Sequence, residues 1–156
     1  MKYIAQIILI ASLLLTAACS QQPVKTTTSS DTANVQSDYH PVEIALQQVG
    51  VPYRYGGHDP SGFDCSGLVY YSYLQQGIHI PRTTHSQLRT AKRISYSNIQ
   101  YGDLVFFRIS KSKISHVGMY IGNNKFVHAP SKGKLVSISS LDTRYWKKRF
   151  VTAARI

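Results

Sequence analysis

An α+β domain, with helices first and an antiparallel sheet after them, is predicted by three features of this sequence. Apolar residues recur at helical spacing between positions 41 and 91. From Leu104 onward the apolar residues fall instead in short strand-like runs. The connections between those runs are short and rich in turn formers, which favours antiparallel neighbours over crossover units.

Pro41 to Val49 places Val42, Ala45, Leu46 and Val49 on one helical face, with Gly50 as the stop. Cys65 to Gln76 repeats the pattern through Leu68, Val69 and Tyr73, closed by Gly77. Thr84 to Ala91 opens with Thr-x-x-Gln, the signature of a capping box, and predicts a short third helix. Strands are predicted at Leu104 to Phe107, His116 to Ile121, Lys125 to Ala129, Leu135 to Ser139 and Phe150 to Ile156. No internal repeat is present.

Within this frame three side chains carry chemistry. Cys65 opens the second helix, where unpaired backbone N–H groups and the helix dipole stabilise a thiolate. His116 and His128 sit in apolar strands, where a polar ring needs a reason. Each of the three, taken alone, also reads as a core side chain. The register of one hairpin decides between these readings. If Gly122-Asn123-Asn124 forms a three-residue loop, Ile121 pairs with Lys125, His128 lies opposite Gly118, and His116 shares its face. A two-residue loop sends the histidines to opposite faces. Gly118 leaves the shared face without an obstructing side chain.

The first eighteen residues read as a secretory signal: Lys2, then Ile4 to Leu15, apolar except for Gln6 and Ser12, then Thr16-Ala17-Ala18 before Cys19. The small residues before Cys19 resemble a bacterial lipobox, with Thr16 standing where leucine is usual. Cys19 is then the lipid-bearing first residue of the mature chain, and residues 19–37 form a Gln/Ser/Thr-rich tether of roughly 20–25 Å reach. Without the leader, 17 basic residues face 7 acidic ones. That charge favours polyanionic surroundings. In an exported, lipid-anchored chain these are anionic head groups and carboxylate-bearing polymers, not nucleic acid. Eleven tyrosines and one tryptophan exceed the needs of a small core, and some are expected to line a groove.

Five motifs occur in order: Pro52-Tyr53-Arg54-Tyr55-Gly56-Gly57, Asp64-Cys65-Ser66-Gly67, Gly102-Asp103-Leu104-Val105-Phe106-Phe107, His116-Val117-Gly118 and Phe126-Val127-His128-Ala129. From about residue 38 to the C-terminus, including Tyr145-Trp146-Lys147-Lys148-Arg149, the chain resembles the lipoprotein members of the NlpC/P60 family of papain-like cell-wall endopeptidases. The resemblance implies residues 38–156 as the catalytic domain, with Cys65 as nucleophile, His116 as base and His128 as orienting third member. It associates Tyr53 with the oxyanion hole, and Asp64 and Ser66 with the substrate groove. It further implies cleavage of peptidoglycan stem peptides or cross-links (D,L or D,D), no cofactor and no metal, and a monomer held by the Cys19 lipid at the periplasmic side of a bacterial membrane, the outer one by family analogy. Alternatives are an acyltransferase using the same Cys-His pair, a zinc hydrolase with Cys65, His116 and His128 as ligands, and a lipoprotein that binds cell wall without cutting it.

Overall fold

The computed structural model describes residues 40–109 and 113–156. The leader, Cys19 and the tether lie outside the described residues. Helix α1 (Pro41–Gln47) starts with proline in its first turn and with His40 as cap, whose Nδ1 accepts from the Val42 N–H at 3.4 Å. It buries Val42 and Ala45, but Val49, expected on the same face, lies beyond its end and is 48% exposed. The helical periodicity is overridden there because Gly50, at φ +95°, turns the chain so that its N–H bonds Val136 O and Val51 pairs with Val136.

A small hairpin follows, β1 (His58–Asp59) against β2 (Gly62–Phe63). Two-residue strands carry no readable period, which is why the sequence does not announce them. Helix α2 (Cys65–Leu74) ends as predicted near Gly77, which at φ +71° lets Ile78 N–H reach back to Tyr73 O. Helix α3 (Thr84–Thr90) departs from the expected capping box. Its cap is Thr83, and the Gln87 amide turns inward to donate to the carbonyls of Ser66 and Pro81.

The main sheet has six strands in the order β3-β8-β4-β5-β6-β7, and every neighbouring pair is antiparallel. They are β3 (Lys92–Ile94), β4 (Leu104–Phe107), β5 (His116–Tyr120), β6 (Lys125–His128), β7 (Ser137–Ser140) and β8 (Phe150–Arg155). Strand β3, a polar edge strand, is absent from the sequence reading. Strand β7 begins two residues later than predicted because Leu135 and Val136 pair instead with Pro52 and Val51. A fourth helix, α4 (Arg144–Arg149), precedes β8 and was not predicted.

Both faces of the sheet are covered, so β4 reads as four consecutive buried apolar residues rather than an alternation. Leu104, Phe106, Val117, Met119 and Val127 face α1 and α2. Val105, Phe107 and Phe126 face the opposite way, where Trp146 of α4 covers them.

Candidate active site

The start of α2 is built by close approach. Asp64 caps the helix, accepting the Gly67 N–H at 2.7 Å, and its carboxylate also accepts the Gly56 N–H and both terminal nitrogens of Arg82. Burial raises the Asp64 pKa, but the Arg82 and backbone donors outweigh it and hold the group below its ordinary 3.8. Arg82 also donates to Ser66 Oγ and Gly57 O, clamping the glycine loop onto the helix. Asp64 and Ser66, read from sequence as groove residues, both line the cavity beside Cys65 while holding this clamp together.

Cys65 is the free thiol of the described residues. Its Sγ lies 3.7 Å from Thr84 Oγ1 and 3.9 Å from the carbonyl oxygen of Ser115, the residue before His116. Burial pushes the thiol pKa up, and the Thr84 hydroxyl opposes that by bonding the sulfur. Tyr53 lines the same cavity, of about 790 Å³, with its phenol pKa raised by burial and by the Cys65 and Asp64 charges. Tyr55 and Tyr70 add to the wall, so part of the tyrosine excess does line a groove.

The hairpin adopts the three-residue loop. Met119 pairs with Val127, Tyr120 with Phe126, and Ile121 N–H donates to Lys125 O, which sets His128 opposite Gly118. Asn123 and Asn124 both take positive φ, which their side chains tolerate better than most. His116 Nε2 and His128 Nδ1 are 2.9 Å apart, with the rings perpendicular. The space over Gly118 is not open, however. A Cβ there would stand 2.5 Å from the Phe126 ring, which lies beside His128. Glycine is needed so that this ring can pack, not to clear a path between the histidines.

His128 Nε2 lies 3.0 Å from Ser139 Oγ, and Trp146 stacks on His116 at 5.4 Å between ring centroids. If Nε2 of His116 carries its proton, that ring donates to His128 Nδ1, His128 donates onward to Ser139, and Nδ1 of His116 is left as a base. Sequence reasoning missed Arg82 and Ser139, which carry no local motif, read Thr84 only as the start of a helix cap, and singled out Trp146 only within an aromatic excess and the Tyr145-Trp146-Lys147-Lys148-Arg149 run. Among the described residues no three His, Cys, Asp or Glu side chains converge as metal ligands.

Burial lowers the pKa of His116 to about 4, and burial followed by the His116 and Lys134 charges lowers that of His128 to about 3. Unfolded imidazole titrates near 6.5. Between pH 6.5 and 4 the unfolded chain therefore binds more protons than the folded one, and stability falls as pH drops through that window. Thermal melts from pH 7.5 to 4 should show Tm declining below pH 6.5, before carboxylates titrate, with a shallower slope in His128→Asn. An unchanged slope in that variant would contradict the burial of a neutral His128.

The model of the NlpC/P60 family matches residues 50–155. The chain belongs to this family. Its NlpC/P60 domain is 47% identical over 116 residues to murein DD-endopeptidase MepH of Escherichia coli K12, covering 71% of this chain and 43% of that protein. Over 169 aligned positions the chain is 37% identical to murein DD-endopeptidase MepS/murein LD-carboxypeptidase of the same organism, covering 94% of this chain and 89% of that protein. An NlpC/P60 protein of Bacillus cereus superposes with a TM-score of 0.71 at 33% identity, over 74% of this chain and 39% of that one. The NlpC/P60 fold is α+β, as the order of helices and strands predicts, and papain-like, as the resemblance implies.

Proposed function

We propose that this chain is a cysteine endopeptidase of peptidoglycan, with Cys65 as nucleophile, His116 as general base and acid, and His128 as the group that orients His116. The observation that carries this reading is the sole thiol of the domain at a capped helix start, 3.9 Å from the carbonyl oxygen of the residue before His116, whose Nε2 is 2.9 Å from Nδ1 of a second histidine. Burial disfavours charge on both partners, so they rest as thiol and neutral imidazole. As Cys65 Sγ attacks the scissile carbonyl carbon, its proton passes to Nδ1 of His116. The oxyanion forms near the Cys65 N–H, which has no intrahelical partner, and the Tyr53 hydroxyl, whose raised pKa keeps its proton available. Such donors contribute about 3–4 kcal/mol each where measured in other enzymes. His116 then returns the proton to the nitrogen as the C–N bond breaks, and water hydrolyses the thioester.

MepS and MepH both bear the name murein DD-endopeptidase, which makes the D,D cross-link the bond proposed here. Digestion of purified sacculi followed by mass analysis of the muropeptides tests it. Cross-linked dimers should be lost, iodoacetamide should abolish the loss, and EDTA should leave it intact. Sensitivity to EDTA with resistance to iodoacetamide would assign the site to metal chemistry instead.

We further propose that Cys19 carries the lipid anchor, supported by the small residues before it and the polar tether behind it. Intact mass of the membrane fraction should show acyl chains on Cys19, and Cys19→Ser should release the protein with its activity on sacculi unchanged. A wild-type chain without acyl mass ends this proposal.

A further inference from the structure

Two hollows meet the candidate catalytic residues from different sides. The first, of about 790 Å³, is lined by Cys65 and Tyr53 but not by His116. The second, of about 550 Å³, is lined by His116, His128, Lys134, Tyr145 and Trp146 but not by Cys65. A general acid must lie within hydrogen-bond reach of the nitrogen it protonates, so the fragment that departs as an amine has to pass on the histidine side.

We propose that this second hollow is the leaving-group subsite, and that Lys134 in it binds a free carboxylate on the departing amine. The assignment rests on the endopeptidase reading above. Lys134 is the one ammonium among the described residues that line the hollow, and no carboxylate side chain lines it. Nor does Lys134 take part in any ion pair among the described residues. Its loop is not loose: Lys134 N–H donates to Ser131 O, and Lys134 O accepts the Tyr53 N–H at 2.9 Å. Lys134 is thus tied through backbone to the rim of the Cys65 cavity and is itself a lining residue of the hollow that includes His116. The lowered pKa of His128, to which the Lys134 charge contributes, agrees with an ammonium close to the histidine pair. Tyr145 and Trp146 offer apolar walls for the methylenes of such a fragment, and the hydroxyl of Ser131 lies among the lining residues as a further polar group. The ligand this chemistry selects is an amine-bearing amino acid or short peptide with an unblocked carboxylate. A carboxamide in its place forfeits the charge-assisted bond.

Trp146 is the sole tryptophan of the chain, so its fluorescence reports on this hollow directly. A diamino-acid dipeptide with a free C-terminal carboxylate, titrated into wild-type protein, should bind at least fivefold tighter than its carboxamide. Lys134→Met should erase the difference, and Lys134→Arg should keep most of it. In turnover, matched substrates that release the same two amines should differ by about tenfold in kcat/KM for wild type and by little for Lys134→Met. Equal binding of the two probes, or a preference that survives in Lys134→Met, overturns the subsite. A loss in Lys134→Met that is equal for both substrates also overturns it, because it points to an action through His128 alone. Discriminating binding without any cleavage leaves a carboxylate site in place but overturns its leaving-group role together with the endopeptidase reading.

Discussion

Cys65→Ala should lower muropeptide turnover by roughly 10⁴-fold or more, and His116→Ala should fall nearly as far, because a nucleophile has no substitute and a buried base very little. His128→Ala should lose less. In the proposed mechanism it acts only through the 2.9 Å contact with His116, and Trp146 still stacks on that ring from one side. The order of loss is therefore Cys65→Ala, then His116→Ala, then His128→Ala. Circular dichroism and melting curves serve as the folding control. Cys65 is only half-buried, so Cys65→Ala should keep its wild-type Tm within a few degrees. Near wild-type turnover in His116→Ala would end the proposed mechanism. Unfolding of His128→Ala at pH 7 would return that histidine to the core, as a ring kept for packing between Phe126 and Trp146.

Gly67→Ala should be among the most destabilising single-methyl additions in this domain. A Cβ on Gly67 would lie 1.9 Å from the carbonyl oxygen of Gly57 and 2.9 Å from the Arg82 guanidinium. The first neighbour is backbone and cannot rotate away, so the glycine loop must lift off the helix. Lifting it breaks the Arg82 bond to Gly57 O and the Asp64 N–H bond to the same oxygen. Overpacking of this kind costs about 1–3 kcal/mol in ordinary cores and more where backbone is displaced. A loss of about 3 kcal/mol or more in urea unfolding is expected, and with it the loss of turnover, since Cys65 lies two residues away. A variant that folds at wild-type stability would show that the loop seats less tightly on α2 than these contacts require.

The resemblance in sequence singled out Cys65 and both histidines as candidates, and the residues themselves supply reasons for part of that. Asp64 before Cys65 and Gly67 after it is a helix-start signature that local chemistry explains, and the structure has Asp64 in the capping position. The register of the hairpin was legible as a choice between two loop lengths: Gly122, Asn123 and Asn124 tolerate left-handed backbone and allow the three-residue loop that the structure adopts. Less was legible where strands are short or polar. His58–Asp59, Lys92–Ile94 and the Arg144–Arg149 helix have too few apolar residues to show a period. The N-cap moved from Thr84 to Thr83 because Gln87 found better partners in two buried carbonyls than in its own helix start.

The information legible in the sequence is local: which of the longer apolar segments are helical or extended, and where α2 begins. These follow from backbone preferences and from periodicities of two and 3.6 residues, which act over a few positions. What surrounds the site residues comes from packing between elements distant in the chain. Arg82 reaches Asp64 across eighteen residues, Thr84 reaches the thiol across nineteen, and Ser115 meets it across fifty. Trp146 arrives over His116 from a helix that the sequence did not announce. Such contacts depend on how two layers pack against one sheet, and packing is set by the shape and volume of all the side chains together rather than by any short run of them.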